Sequence, residues 1–334
     1  MDMKDARYPV TLSPDLLRLM LEVSELLGRL DGLQLVRPVP KLREKNRTGS
    51  VRGSTGIEGN RCTLAQVEAI ARGEPVAASK KDVLEVRNAL AAYGELRDYD
   101  PYAIDALLRA HARLMGGGLM LGAGHFRREA VEVYVSEDKT REMPPWKSVE
   151  PSMRALFGYL KSGDDPLLLK SVRFHFECVN IHPFTDGNGR TARLWQTRLL
   201  MELHPIFEYL DVESMVFDAR DTYYAVIREA QDTGDARCFV CFMLDQILRA
   251  LTRLWQTCGP VASRWDSRIE GVRERFGDAP FSRKDYLQLQ RTITPVTASR
   301  DLKAGVEEGL LVRAGDKRTA VYRFSRNEAA VERK

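Results

Sequence analysis

Residues 182–193 concentrate chemically useful side chains in twelve positions: His182, Asp186, Gly187, Asn188, Gly189, Arg190 and Arg193. Glycine has no side chain, so the backbone N–H groups at Gly187 and Gly189 can approach an anion closely. A helix predicted from Arg190 to Leu203 would direct its positive end at the same place. These residues therefore predict a site for the phosphate groups of a nucleotide.

The neighbouring side chains can supply the rest of a phosphoryl-transfer site. Arg190 and Arg193 are three positions apart on one helix face, where two guanidinium groups can each bind a phosphate. Asp186 offers the hard oxygen ligand that Mg²⁺ accepts together with substrate phosphates. The imidazole of His182, whose ordinary pKa is near ~6.5, can accept a proton at cellular pH.

The run from Gly187 to Ala192 also fits GxGxx(G/A), the glycine pattern of dinucleotide-binding proteins. That pattern needs a preceding strand inside a βαβ unit. The residues before the motif instead show apolar positions at helical spacing, namely Leu168, Val172, Phe176 and Val179. The context therefore disfavours a dinucleotide-binding site.

The string HPFTDGNGRTAR, residues 182–193, resembles the HPFx[DE]GNGRxxR signature of the Fic family at every fixed position. The resemblance implies a mainly α fold: a Fic-type helical bundle with a small β-hairpin flap. It also implies a protein adenylyltransferase, which transfers AMP from ATP to a Tyr, Thr or Ser hydroxyl of a target protein. His182 would be the catalytic base, Asp186 the ligand of Mg²⁺, and the glycines, Asn188 and the arginines the triphosphate site.

A second motif, Ser54-Thr55-Gly56-Ile57-Glu58-Gly59, resembles the [ST]xxxE[GN] inhibitory helix of many Fic proteins. The resemblance implies that Glu58 forms a salt bridge with Arg193 and occupies the guanidinium that would otherwise receive the γ-phosphate of ATP. We expect the inhibitory helix at about residues 49–59, with a short helix over Ser54 to Gly59. The alternative for Glu58 is a solvated charge at a helix end.

A β-hairpin is predicted upstream of the signature. Val131, Val133 and Val135 alternate with polar residues, the period of a half-buried strand, and the chain turns near Glu137 and Asp138. In Fic proteins a hairpin flap at this place aligns a target polypeptide by adding it as a strand, which an exposed strand edge permits.

Three further sets of residues follow from the resemblance. Adenine recognition maps to Tyr224 and Gln231, where the glutamine departs from the asparagine of related proteins. Gly124-His125-Phe126-Arg127 resembles the GxFR element that precedes the flap; we expect Phe126 to pack and Arg127 to pair locally. His111 is expected at the edge of the core.

Composition places the chain among ordinary globular proteins. Its 334 residues, 44% hydrophobic and 29% charged, suit two or three domains. The five cysteines show no disulfide-framework spacing, and no run of about 18 apolar residues suggests a membrane span. These features predict a cytoplasmic protein without a membrane partner. The oligomeric state is left open, a homodimer included.

The apolar spacing predicts helices through most of the first 255 residues, with a connector over Arg37 to Arg47. The helices are expected from Pro14 to Leu30, from Leu64 onward, and over 82–99, 104–115, 153–162, 167–181, 190–203, 214–230 and 237–256. We expect three parts: an N-terminal helical region over 1–100, a Fic catalytic core over 101–258, and a winged helix-turn-helix domain over 265–334.

The C-terminal residues 261–334 hold 16 Lys and Arg against 11 Asp and Glu, an excess of five positive charges. Two helices followed by a short hairpin resemble the winged modules that follow some Fic domains. In such modules one helix enters the major groove of double-stranded DNA, and the wing meets phosphates. The corresponding residues are Thr297, Ser299, Arg300, Lys317 and Arg318. Protein docking or dimerisation is the alternative, since Asp301, Glu307 and Glu308 lie on the same helix.

The sequence thus predicts an autoinhibited protein adenylyltransferase that uses ATP and Mg²⁺ on an unidentified target protein. Three alternatives stay open: a DNA-binding regulator whose Fic core senses nucleotide, a deAMPylase in which Glu58 orients water, and transfer of another phosphate-containing group.

Overall fold

A computed structural model describes residues 8–32, 40–136, 139–162, 164–262, 265–290, 293–307, 309–315 and 320–325. The chain forms two compact units, Met1–Arg253 and Leu254–Lys334. The finer predicted boundary between residues 100 and 101 stays a prediction. No helix in the described ranges has both the length and the hydropathy that a bilayer crossing requires.

The first unit is mainly helical, as predicted. Its helices are α1 (Pro14–Gly32), α2 (Pro40–Ile57), α3 (Leu64–Ala71), α4 (Lys80–Gly94), α5 (Ile104–Met115), α6 (Val149–Ser162), α7 (Leu167–Ile181), α8 (Asn188–Leu203), α9 (Val212–Asp218), α10 (Arg220–Thr233) and the part of α11 (Arg237–Ala262) up to Arg253. Short 3-10 turns occupy Leu96–Asp98, Trp146–Ser148 and Pro205–Tyr209. Side chains cap the start of two of these helices: Leu16 N–H donates to Ser13 Oγ, and Thr63 and Gln66 form a capping box.

Helix α8 lies in the middle of this unit. Twelve of its residues are buried, and these include Arg190 and Arg193, the two arginines predicted to bind phosphates. Trp195 on α8 is fully buried and packs near Phe157 and Phe174, with ring centroids 6.1 and 6.4 Å away. A helix buried on every side must find partners inside the protein for each polar side chain.

The predicted connector over Arg37 to Arg47 is wrong for its described part, because α2 already begins at Pro40. Proline is tolerated in the first turn, where its missing N–H would have had no partner. The predicted short helix over Ser54 to Gly59 is therefore the last part of a helix of 18 residues, and Ile57 is its final residue.

Two glycines on α2 allow it to pack closely against α9. A Cβ added at Gly53 would lie 2.6 Å from the backbone of Glu213, and one at Gly56 2.5 Å from the Phe217 ring. Such glycines lower intrinsic helix propensity, but here they allow two backbones to approach. Tertiary packing thus stabilises a helix that the sequence pattern disfavours.

The helix predicted over 214–230 is two helices, α9 and α10, which meet at Ala219. Ala219 has φ −114° and ψ 31°, outside the helical region, so the helix is interrupted there. Alanine favours a helix at this position, and the break therefore comes from packing.

The predicted hairpin is present as β1 (Glu132–Ser136) and β2 (Lys139–Glu142), an antiparallel pair in which Val133 lies opposite Arg141. Val131 precedes β1, and its carbonyl accepts the Met143 N–H at 3.0 Å, which closes the base of the hairpin. Val133 is half-buried. The side chain of Val135 lies outside the described residues, as do Glu137 and Asp138.

The second unit contains α12 (Trp265–Phe276), β3 (Phe281–Ser282), α13 (Arg283–Leu289), α14 (Pro295–Glu307), β4 (Leu311–Ala314) and β5 (Val321–Phe324). The strands form one antiparallel sheet in the order β3-β5-β4. The sequence predicted α13, α14, β4 and β5 but not α12 or β3. A small core contains Val272, Phe281, Tyr286 and Leu302. Lys317 and Arg318 lie outside the described residues.

We expect Gly53→Ala to destabilise the first unit, because the new methyl group meets the Glu213 backbone, which has little freedom to move. Overpacking of this kind costs about 1–3 kcal/mol. Thermal unfolding should show a lower Tm, by several degrees. Gly28→Ala on α1 is the matched control: nothing lies within 4 Å of its added Cβ, and it should leave Tm unchanged or raise it. Equal Tm values for the two variants would contradict the close packing of α2 on α9.

Candidate active site

The first six signature residues, 182–187, form the turn between α7 and α8. His182 ends α7 with φ 51° and ψ 62°, and among the described residues it alone has a positive φ without being glycine. Gly187 has φ 79° and precedes α8. Non-glycine residues are held in the left-handed region at a cost of about 1–3 kcal/mol, and such strain concentrates at functional sites.

Asn188 closes this turn with its side chain. Its amide donates to the Phe184 carbonyl at 2.8 Å, and its side-chain oxygen accepts the Phe184 N–H at 2.9 Å. The prediction that Asn188 holds phosphate oxygens stays a prediction, and the side chain is already engaged within the turn. What the residue can offer an anion is its backbone N–H, one of those that the first turn of a helix leaves without intrahelical partners.

His182 is half-buried, and its Nδ1 lies 3.3 Å from the Val179 carbonyl. A carbonyl oxygen only accepts, so Nδ1 carries the proton and Nε2 carries the free lone pair. Burial is the largest cause that lowers the pKa of His182, to about 4. The imidazole is therefore neutral at pH 7 and able to accept a proton through Nε2.

Arg193 is buried, with 3% of its surface exposed. Its Nη2 donates to Glu58 Oε1 at 2.7 Å and to the Ser54 carbonyl at 3.0 Å, while Nε reaches Ser54 Oγ at 3.3 Å. The ion pair that the resemblance implies is thus present. The second terminal nitrogen, Nη1, is buried without a hydrogen-bond partner.

The carboxylate of Glu58 lies directly over the glycine turn. A Cβ added at Gly189 would collide with Glu58 Oε1 and would lie 3.0 Å from Arg193 Nη1. The place where the turn, the start of α8 and Arg193 converge is therefore filled by an anionic group. Glu58 Oε1 thus lies where the sequence motif predicts that a phosphoryl oxygen would bind.

Arg190 is also buried but is held more loosely. Its Nη2 lies 3.4 Å from both Asp186 oxygens and its Nη1 3.5 Å from Glu85 Oε1, while Nε has no partner. A buried guanidinium with long contacts and an unsatisfied donor is suited to an added anion. Glu85, in the middle of α4, was missed by sequence reasoning, since nothing in its sequence neighbourhood signals this contact.

Asp186 points mainly to solvent, with 65% of its side chain exposed. Its Oδ1 accepts the Gly187 N–H at 2.6 Å. Within the described residues no group of three or more His, Cys, Asp or Glu side chains could hold a metal by itself. One exposed carboxylate beside a phosphate site fits Mg²⁺, which takes most of its ligands from water and phosphates.

His111 braces the other side of the turn and is fully buried rather than at the core edge. Its Nδ1 accepts the Gly124 N–H at 2.9 Å, so its Nε2 donates to the Asp186 carbonyl at 3.0 Å. The ring stacks on Phe184, with centroids 3.6 Å apart. Burial lowers the pKa of His111 to about 4, which keeps the ring neutral.

The residues mapped to adenine are close to the other site elements. Tyr224 donates its hydroxyl to the Ile57 carbonyl at 3.3 Å, at the end of α2. Gln231 donates to Asn180 Oδ1 at 2.7 Å, and its amide oxygen accepts from Arg141 of β2. Both polar atoms of Gln231 are therefore engaged, and its role in base recognition stays a prediction.

The fold and this turn define a class of mainly helical proteins with a nucleotide-phosphate motif between two central helices. Residues 101–200 match the model of the Fic/DOC family. A Fic family protein from Desulfovibrio desulfuricans G20 is 32% identical, with a TM-score of 0.73 over 96% of this chain and 98% of the other. The chain belongs to the Fic/DOC family.

Two named relatives are similar over part of their length. Protein adenylyltransferase Fic of Nematostella vectensis is 33% identical over 206 residues, 57% of this chain and 44% of the relative. Protein adenylyltransferase fic-1 of Caenorhabditis elegans is 30% identical over 210 residues, 57% of this chain and 37% of the relative. The chain therefore spans less than half the length of these relatives.

We expect the His182 imidazole to stay neutral from pH 8 down to about pH 5, because burial disfavours its charged form. NMR titration of the ring resonance, assigned by its loss in His182→Ala, should give a midpoint near pH 4. Because the pKa of His182 is lower in the folded chain than in the unfolded chain, this residue contributes most to the free energy of unfolding at pH values above the ordinary pKa. The contribution is lost as the pH drops toward 4. A midpoint at pH 6.5 or higher would contradict the buried setting.

Proposed function

We propose that this chain is a protein adenylyltransferase whose resting state is inhibited by Glu58. The observation that carries the proposal is the Glu58 carboxylate, which lies over Gly189 and binds Arg193 where a phosphate would fit. The relatives named as protein adenylyltransferases support the same activity.

ATP would enter with its phosphates on the glycine turn. Arg190 and Arg193 would bind the outer phosphates through donors that now lack partners, Nε and Nη1. Asp186 would hold Mg²⁺, which when bound neutralises part of the phosphate charge. These residues supply position and charge rather than a covalent intermediate.

The acceptor would be a Tyr, Thr or Ser hydroxyl of a polypeptide paired with the hairpin that contains Val131, Val133 and Val135. Nε2 of His182 takes the hydroxyl proton while the oxygen attacks the α-phosphorus of ATP. The bond from the α-phosphorus to the bridging oxygen breaks, pyrophosphate leaves, and AMP stays on the side chain. A base that is neutral at pH 7 suits this step.

Inhibition would work by competition for Arg193. A charge-assisted hydrogen bond contributes about 1.5–3 kcal/mol, and each ~1.4 kcal/mol is tenfold in an equilibrium. Glu58 also blocks the space over Gly189, so a triphosphate binds in a displaced pose or not at all. Ser54 also binds Arg193, because its carbonyl and hydroxyl oxygens accept hydrogen bonds from the same guanidinium.

We expect Glu58→Gly to raise AMP transfer by one to several orders of magnitude, and His182→Ala to abolish it. The measurement is labelling of the protein itself, or of lysate proteins, from ATP labelled at the α-phosphate, with and without Mg²⁺. Labelling in lysate followed by mass spectrometry would identify the target and the modified hydroxyl.

Glu74→Gly is the matched control, since Glu74 pairs with the exposed Arg72 in an ion pair of similar length outside the site. It should leave transfer unchanged. No gain for Glu58→Gly over this control would contradict inhibition, and no label in any variant would contradict the transferase. Loss of AMP from a modified protein that requires Glu58 would favour the reverse reaction.

A second candidate function, DNA binding by a winged helix in the C-terminal unit, is favoured by the setting of Asp301. This acid on α14 is buried and receives two hydrogen bonds from Arg268, at 2.6 and 2.7 Å, and one from Tyr286. It therefore does not repel phosphates. Exposed residues of α14 include Ser299, Arg300 and Lys303, with Thr297 half-buried and Arg283 bonded to Ser299.

We expect weak binding to labelled duplex DNA that falls steeply with salt concentration, because lysine and arginine contacts release counterions from DNA. Arg300→Ala should weaken binding and reduce the salt slope by about one. Arg109→Ala, which removes an exposed charge from the first unit, is the control and should have no effect. Equal slopes for both variants would favour a protein-docking role.

We also propose that the protein is cytoplasmic. Cys62, Cys178, Cys238 and Cys241 are free thiols, which supports the cytoplasm. A homodimer stays an open prediction.

A further inference from the structure

We propose that Arg127 is a positioning residue that fixes the hairpin relative to the carbonyl of His182, and thereby sets where an acceptor hydroxyl meets the catalytic base. This inference rests on the proposed function. Sequence reasoning expected Arg127 to pair locally, but two of its three partners lie 17 and 55 positions away.

The guanidinium of Arg127 donates to three backbone carbonyls. Nε binds the His182 carbonyl at 2.7 Å, Nη1 binds that of Glu129 at 2.8 Å, and Nη2 binds that of Pro144 at 2.5 Å. The backbone N–H of Arg127 also donates to the Pro183 carbonyl at 2.9 Å. One residue therefore touches both the catalytic turn and the hairpin segments.

Two of the three carbonyls mark the ends of the hairpin, and the third belongs to the proposed catalytic base. Glu129 precedes β1 and Pro144 follows β2, so together they mark the two ends of the hairpin. The bond from Met143 N–H to the Val131 carbonyl joins the same two segments. A planar fork with five fixed donors can hold three such groups at once, whereas the ammonium of lysine is a point charge on a flexible stem.

The contacts are costly, which argues that they do more than fill space. Arg127 is 3% exposed, and among the described residues no carboxylate forms an ion pair with it. Burial lowers its pKa from the ordinary value. An apolar side chain of similar volume would avoid the cost of burying a charge. The presence of arginine at position 127 is therefore explained by the three carbonyls that it orients.

The His182 contact has a further consequence. His182 has the left-handed conformation described above, which must be held by its surroundings. Arg127 holds the carbonyl of this same residue, and His111 holds the Asp186 carbonyl at the other end of the turn. Displacement of a base or an acceptor by about 1 Å can lower a rate by ~10²-fold.

The experiment compares Arg127→Lys with Arg198→Lys, each in the Glu58→Gly background. Arg198 is the matched control: it is buried on α8 and donates to the Tyr99 carbonyl at 2.7 Å, outside the site. Initial rates of self-labelling from α-labelled ATP, measured over a range of ATP concentrations, give the maximal rate and the KM for ATP separately. Thermal unfolding is measured on every variant.

We expect Arg127→Lys to lower the maximal rate about 10- to 100-fold while the KM for ATP changes by less than about twofold, because Arg127 bonds the His182 and Pro183 carbonyls and none of the donors proposed to bind phosphate. Arg198→Lys should keep the rate of the parent. A full rate for Arg127→Lys, or a parallel loss of ATP affinity and Tm in both variants, would overturn the proposal.

A second measurement does not depend on activity. Amide hydrogen exchange of the wild-type chain and of the two single variants should be faster in Arg127→Lys at both 127–146 and 182–184, and unchanged there in Arg198→Lys. Unchanged exchange in Arg127→Lys would overturn the coupling even if AMP transfer is observed. If the Glu58→Gly parent transfers no AMP, the transferase proposal fails, and the exchange result still decides the coupling.

Discussion

A guanidinium buried in a central helix is the constraint on which this structure depends. Arg193 is enclosed by neighbouring helices, and a buried charge is tolerated only with a partner of opposite charge or with hydrogen bonds. Glu58 and Ser54 supply both. In the proposed function a phosphate would compete with Glu58 for this guanidinium, so one contact would link the stability of the inhibited state to nucleotide binding.

The position of Glu58 follows from how α2 packs on α9. Close approach of the two backbones at Gly53 places the end of α2 over the turn. Polar contacts fix its position along α9: Ser50 donates to Asp211, and Ser214 donates to the Gly49 carbonyl. Burial raises the pKa of Asp211 to about 7. The position of the Glu58 carboxylate therefore depends on the whole length of α2 rather than on a short separate helix.

The catalytic turn is held from three directions. Asn188 closes it from within, while His111 and Arg127 hold the Asp186 and His182 carbonyls from outside. All three act on backbone groups, so none of them occupies the imidazole Nε2 or the Asp186 carboxylate, the groups that the proposed reaction uses. In the proposed function, a turn that is already ordered lowers the cost of ordering the site when a nucleotide binds.

The sequence by itself determined the helical class, many helix limits and the motif of the proposed phosphate site, because helical periodicity, capping residues and a dense motif are local properties. Helices α5 and α7 have the predicted limits. Tertiary structure alone decided the length of α2, the break at Ala219, the contact of Glu85 with Arg190, and the roles of His111 and Arg127. These depend on which backbones approach and which carbonyls lie within reach of a buried donor. Glu85 and Arg190, for example, are 105 positions apart in the chain and lie 3.5 Å from each other in the fold, and local sequence carries no record of such a contact.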